Sequence, residues 1–280
     1  MFTKTRSQNR MIDLPVLMTA SVDPKGMPTA RWTPLEREKM YVETLQFYMK
    51  DFGNREGHYD FVFAENSGWD KERILSQVKV PDNITLEYIE LDPNDYDVSR
   101  LKGYNEALMI DQVTLLSEAI RRAGRFFKVT GRYPFINLYR LLREVGRRAG
   151  EEMQLYADCK DHNVYQWLHL PLDGHRGETR YYAVSLNFYN EYFRGRYKKV
   201  QGPNTVEDLM LYNIRKHKDE QGVYGRFRTQ PHISGLEGSY RQFNSRWMDF
   251  FDSKDNDSFV LTVKRYIRQV LRWTMPWWKV

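Results

Sequence analysis

The sequence predicts an α/β protein whose sheet is mostly parallel and flanked by helices. Two observations carry this. Short apolar runs alternate with amphipathic stretches, in the order strand, helix, strand, strand, helix, strand, helix, strand. The apolar runs end in small or polar residues, as buried strands do where they leave a sheet.

The first run, "LPVLMTASVDP", passes through Thr19 and Ser21 before it breaks. Leu45, Tyr48, Met49 and Phe52 then recur at helical spacing, and Asn54 to His58 form a polar connector. Tyr59 to Ala64 is a second strand closing on Glu65-Asn66-Ser67-Gly68, and "ITLEYIELD" is a third. After the turn "DPNDYD", one long helix is expected over "KGYNEALMIDQVTLLSEAIRRAG", with Met109, Val113, Leu116 and Ile120 on one face and Gly124 as its stop. "RFFKVTGRY" is the fourth strand, in which Phe126, Phe127 and Val129 flank Lys128. "YPFINLYRLLREVGRRAG" reads as a helix with Pro134 near its start, and "EEMQLYADC" as a fifth strand. Beyond these, "RYYAVSLNFYNEYF" is expected to be a strand entering a polar turn, "TVEDLMLYNIRKHK" a helix, and "YGRFRTQPHISGLEGSY" a strand plus a loop. The expected division is one α/β domain over 1–240 and a C-terminal extension over 241–280.

Bulk properties exclude several classes. Of 280 residues, 41% are hydrophobic and 15% aromatic, enough for a sizeable core and against wholesale disorder. The single cysteine, Cys159, excludes an internal disulfide and fits a reducing compartment. No apolar run nears the ~20 residues that span a bilayer, and the N-terminal stretch has no signal-peptide core. The expected location is cytoplasmic, peripheral on the inner face of the cytoplasmic membrane if the C-terminus binds lipid. The formal charge of +6 invites nucleic acid, but 43 basic residues against 37 acidic is a modest excess without a nucleic-acid motif. No nucleic-acid partner is expected.

No phosphate loop, dinucleotide fingerprint or nucleophile elbow is present, and the six histidines lack metal-ligand spacing. What remains is a set of loops suited to anions. Strand-end geometry singles out Thr19, Ser21, Glu65, Asn66, Thr130, Gly131 and Arg132, because ligands of open α/β sheets sit outside the carboxyl ends of the strands. Glu65 could hold a ribose hydroxyl, or "ENSG" could be an ordinary turn. Lys102 and Gly103 open a helix whose N-terminal amides favour anions, or simply start it. Lys128 is either a snorkelling stem or part of an anion site, with Arg132 as a bidentate phosphate ligand. Arg226, Arg228, His232 and Ser234 add a second phosphate-friendly loop.

The C-terminal "LTVKRYIRQVLRWTMPWWKV" places Val263, Tyr266, Ile267, Val270 and Leu271 on one helical face. Lys264, Arg265, Arg268 and Arg272 lie opposite. With Trp273, Trp277 and Trp278 it matches an interfacial membrane helix, or equally a helix docked on its own domain.

The motifs "ENSG", "KGYNEA" (with Glu106) and "KVTGRY" resemble those of bacterial glycosyltransferases that assemble capsule, O-antigen or lipopolysaccharide glycans. Those enzymes carry a GT-A-like (nucleotide-diphosphosugar-transferase) domain of Rossmann type. The resemblance implies a nucleotide-sugar donor, such as a UDP-sugar, and a polysaccharide or lipid-linked glycan acceptor. Many such enzymes hold the diphosphate through a metal at an Asp-x-Asp motif after the fourth strand. Here Thr130-Gly131-Arg132 stands there, while Asp95-Tyr96-Asp97 lies in the loop before the KGYNEA helix. Inverting transfer without a metal cofactor is therefore expected, with Arg132, Lys128, Arg226 and Arg228 neutralising the leaving diphosphate and Glu191, Asp158 or Glu237 as base. The alternative is a non-catalytic or nucleic-acid-binding α/β protein whose basic loops touch phosphates.

Overall fold

The computed structural model describes residues 13–25, 32–100, 102–169, 174–199, 205–234 and 259–275. Seven strands form one sheet: β1 (Val16–Ala20), β2 (Tyr59–Glu65), β3 (Ile84–Glu90), β4 (Arg125–Thr130), β5 (Leu155–Asp161), β6 (His175–Ser185) and β7 (Val223–Tyr224). Their order is β3-β2-β1-β4-β6-β5-β7. All run parallel except β6, which is antiparallel to both neighbours, β4 and β5. The helices are α1 (Pro34–Gly53), α2 (Lys71–Leu75), α3 (Lys102–Leu116), α4 (Glu118–Ala123), α5 (Leu138–Arg148), α6 (Val164–Trp167), α7 (Leu186–Tyr192), α8 (Thr205–Lys216) and α9 (Phe259–Thr274). The expected α/β class with a mostly parallel, helix-flanked sheet is the class observed.

Every residue of β1 and β2 is buried, as central parallel strands covered on both faces must be. Alternate side chains feed two cores. Met18, Phe61, Phe63, Phe127 and Val129 pack with α1 and α5 on one face. Leu17, Val62, Phe126 and Val184 pack with α3, α4, α7 and α8 on the other. α1 begins at a capping box, in which Thr33 Oγ1 accepts from the Glu36 amide and the Glu36 carboxylate accepts from the Thr33 amide. Gly124 ends α4 at φ +65°, as its glycine suggested.

Three local expectations change. The single long helix is two, because buried Ser117 turns its hydroxyl to the Ile120 amide and caps a second start within the periodic run. Pro134 lies outside α5: Phe135 bridges to Ile233, and the helix begins only at Leu138. The polar turn after β6 is a helix, α7, capped by Ser185, whose hydroxyl accepts from the Phe188 amide. The boundary at 240 lies outside the described residues. Beyond it, α9 packs on the sheet's carboxyl edge through Gln269 and Arg272.

Candidate active site

Loops from β1 and β4 meet at the carboxyl edge of the sheet. Since β6 runs the other way, its first half rises there as well and extends the wall. The result is a cavity of about 630 Å³ bounded by β1, α1, the segment before α3, β4, β5, β6 and α9.

Its floor is set by close backbone approach. The Gly131 amide donates to the Thr19 carbonyl at 3.0 Å, and a Cβ on Gly131 would lie 2.8 Å from that carbonyl oxygen. Only glycine lets the exits of β4 and β1 touch. Beside them Lys128 is 1% exposed, with Nζ 2.7 Å from the Thr179 carbonyl and 2.6 Å from Glu106 Oε1. The Thr19 hydroxyl donates to the same oxygen at 2.7 Å. A lysine within an apolar strand is thus a buried cation reaching from β4 to α3 at the cavity floor. Arg37, from the first turn of α1, donates to the Ser21 carbonyl and shapes the β1 exit. The Ser21 amide donates to the Tyr41 hydroxyl at 3.0 Å.

The opposite wall is held by a second buried pair. Asp158 of β5 accepts from Arg272 at 2.6 and 3.0 Å, from the Phe227 amide at 2.7 Å and from the Tyr181 hydroxyl. Arg272 also donates to the Phe227 carbonyl and to Gln230 Oε1. Burial works against the Arg272 charge, but Asp158 outweighs it and holds the guanidinium above its ordinary range. Glu178 pairs with Arg180, and Glu207 with Arg176. Among the described residues, ten Lys or Arg and four Asp or Glu line the cavity. Each of these four acids is paired with one of those cations. Burial, then Arg268, Arg180 and Arg176, push the Lys160 ammonium down to about 8.

The structure brings together Thr19, Ser21, Lys102, Gly103, Glu106, Lys128, Thr130, Arg132, Asp158 and Arg226 on this cavity, and Gly131 lies directly behind. Others stand elsewhere. Glu65 is 0% exposed and accepts from the Val22, Ser67 and Trp69 amides, so it braces two strand exits from behind. Asn66 accepts from the Ser21 hydroxyl and supports the same exit. Arg228 is exposed off the cavity with its amide on Glu144. The His232 amide donates to Asn137, and the Ser234 amide to the Pro134 carbonyl. Glu191 is an exposed residue of α7. That helix follows Ser185, which pairs with Arg125 at the start of β4, so Glu191 sits at the opposite edge of the sheet. Glu237 lies outside the described residues. Asp95 accepts from Gln112, and Asp97 accepts from Ser99; neither lines the cavity.

Residue reasoning missed Arg37, Tyr96, Lys160, Arg176, Glu178, Arg180 and Glu207. Arg176, Glu178 and Arg180 recur at period two in "HRGETRYY", a charged strand face that could have been read. Arg268 and Arg272 are expected on the face of α9 opposite its apolar residues. They turn inward, with Ile267 and Leu271 also lining the cavity, while Tyr266 (70% exposed), Val270 and Trp273 (65% exposed) turn outward. Val263 and Leu271 are half-buried, and Trp277 and Trp278 lie outside the described residues. No helix among the described residues is long and apolar enough to cross a membrane.

A divalent cation needs several unengaged hard donors. Among the described residues no group of three His, Cys, Asp or Glu could hold one, and the four cavity carboxylates are each tied to a Lys or Arg. The described residues of the cavity therefore offer no ready set of metal ligands.

No protein-family model and no curated protein sequence matches the chain. Solved structures do resemble it. The bifunctional glycosyltransferase WbbM, in its apo form, aligns at TM-score 0.47 and 11% identity over 92% of this chain and 44% of that one. The present chain thus spans less than half of WbbM. Mouse xyloside xylosyltransferase 1, also apo, aligns at TM-score 0.42 and 11% identity over 77% and 85% of the two chains. The galactosyltransferase LgtC, in complex with donor and acceptor sugar analogues, aligns at 0.40 and 12% over 71% and 69%.

Proposed function

We propose that this protein is a glycosyltransferase that moves a sugar from a nucleotide-sugar donor, with UDP the expected nucleotide, to a glycan acceptor. The observation that carries the reading is the cavity lined by many Lys and Arg side chains at the carboxyl edge of β1 and β4. The motifs around Glu65, Lys102 and Thr130 support it.

In this reading the donor diphosphate sits against Lys102, Arg132 and Arg37. The acceptor hydroxyl attacks the anomeric carbon, the bond from that carbon to the diphosphate oxygen breaks, and the released charge is met by those cations without reorganisation. The proton of the attacking hydroxyl passes to a carboxylate. Glu106 suits this role best. Asp158 has both oxygens engaged by Arg272, Phe227 and Tyr181, and Glu178 is clamped by Arg180. Glu106 has only Oε1 engaged, by Thr19 and Lys128, leaving Oε2 for a substrate. Displacement from the far side gives inversion. No step runs through a metal.

Two further parts of the proposal concern the acceptor and where the protein works. The outward apolar face of α9 supports contact with a membrane carrying a lipid-linked acceptor, for capsule, O-antigen or lipopolysaccharide assembly. Flotation with vesicles containing phosphatidylglycerol tests it. The full chain is expected to float, and the triple variant Tyr266→Ser, Val270→Ser, Trp273→Ser to remain below; equal flotation removes the membrane contact. For the donor, the expected result is a rise in melting temperature with one of UDP, CDP or GDP, unchanged by EDTA. No rise with any of them sinks the transferase reading. Glu106→Gln is expected to lower kcat by about 10²–10⁴-fold with the nucleotide shift retained.

A further inference from the structure

α5 and α9 lie on the same side of the sheet. α5 packs Leu138, Leu141, Leu142 and Val145 into the core that it shares with α1. α9 reaches that side through Arg272, which donates to Asp158 and to the carbonyl of Phe227, a residue of the same core. The segment after β7 ties the two helices together. The Arg228 amide donates to Glu144 of α5 at 2.6 Å, and its carbonyl accepts from Gln269 of α9 at 2.7 Å. The Ile136 amide, just before α5, donates to the His232 carbonyl, and the His232 ring meets Arg265 of α9. The outward sides differ in chemistry. α5 turns out Arg140, Arg143 and Arg147 on one helical stripe, with Arg143 over the Tyr139 ring, and Arg228 is exposed beside them. α9 turns out Tyr266, Val270 and Trp273, and Ile136 is exposed as well.

We infer that this composite face binds a membrane surface rich in anionic phospholipid, with the α5 arginines on headgroup phosphates and the α9 aromatics in the interface. The inference deepens the membrane contact proposed for α9 and rests on that reading, whereas the donor site is independent of it. The charge is one-sided. Along α5, residues 225–234 and α9 the single acid is Glu144, which is buried and accepts from the Arg228 and Thr229 amides. Ion pairs here use Arg148 and Arg272, and among the described residues no carboxylate pairs with Arg140, Arg147 or Arg228. Such a stripe gains most from a surface of many phosphates, where each arginine strengthens binding by about fivefold. A nucleic-acid backbone also offers phosphates, but it would leave Val270 and Ile136 in water. A bilayer interface accepts aliphatic and aromatic side chains beside its headgroups. Firm attachment takes two signals, and the apolar side of α9 with the basic side of α5 supplies both. The inner side of α9, with Ile267, Arg268 and Leu271, lines the cavity. A chain docked by this face therefore holds its cavity just behind the helix that meets the lipid.

Co-sedimentation of the full chain with vesicles tests it, comparing phosphatidylcholine alone with phosphatidylcholine containing phosphatidylglycerol. Binding is expected to need phosphatidylglycerol and to weaken with added salt. Arg140→Gln combined with Arg147→Gln should weaken it by about tenfold or more at an unchanged melting temperature. Lys216→Gln combined with Lys218→Gln removes the same charge from the far side, where α8 covers the other core, and should leave binding within about twofold. Binding that is equal on both vesicle types, or absent from both, overturns the inference, as do equal losses in the two double variants. RNA binding that depends on Arg140 and Arg147, without vesicle binding, also overturns it. If the double arginine variant binds like the parent while the α9 triple variant does not, the aromatic contact stands and the arginine face falls. A chain that binds phosphatidylglycerol vesicles through Arg140 and Arg147, yet shows no melting shift with any nucleotide, supports the lipid face and sinks the transferase reading.

Discussion

Lys128 and Asp158 are both buried charges, and each is matched by a partner far away in sequence. Such pairs are weak evidence of stability while intact, but removing one partner strands the other in low dielectric. Asp158→Asn is therefore expected to cost about 3–5 kcal/mol in urea unfolding, with Arg272 left buried and unpaired. The double variant Asp158→Asn with Arg272→Met should recover much of that loss, and no recovery would argue against the pair. Lys160 predicts a pH signature. Its ammonium is faced by Arg268 of α9, by Arg176, Glu178 and Arg180 of β6, by His162 and by Tyr165 of α6. Held at about 8 when folded against 10.5 ordinarily, it binds fewer protons folded than unfolded between those values. Stability therefore rises with pH across that window. Lys160→Gln should flatten the stability rise; an unchanged slope would assign it to another group.

At the scale of elements, the contact between β1 and β4 decides where the cavity lies. Gly131→Ala drives a methyl group into the Thr19 carbonyl. The expected cost is about 1–3 kcal/mol, with weaker nucleotide binding as the two strand exits separate. Unchanged melting and affinity would show that the exits have slack. Strands of this kind are legible in sequence, because burial on both faces leaves an apolar run with a small or polar end, as in "VLMTAS" and "FVFAEN". Direction is not legible. Nothing in "RYYAVS" says that β6 runs against its neighbours, and that reversal moves Glu191 to the far edge and brings Arg176 and Arg180 to the cavity. Ser117 was hidden for a related reason: a cap inside a helical period shows only as a polar residue.

At the scale of the molecule, half of the candidate site was legible and half was not. The half on β1, β4 and the start of α3 follows from strand ends and a helix start. The half made by β5, β6 and α9 depends on tertiary pairing across 114 residues between Asp158 and Arg272, which no local pattern carries. α9 is the sharpest case. Its amphipathic pattern is plain in sequence, yet Arg272 faces inward because the cavity offers Asp158 and the Gln230 side chain as partners, while Tyr266, Val270 and Trp273 are turned out. That arrangement also has a consequence in time. Ribosomal synthesis delivers β1 to β7 before α9, so for an interval the nascent sheet holds a buried aspartate without its arginine. An arrest sequence placed so that release reports the docking of α9 should register a step only after Arg272 clears the exit tunnel. The capacity to bind would then be acquired late, in one event, and a chain cut short before that point would hold most of its architecture and none of its completed pocket.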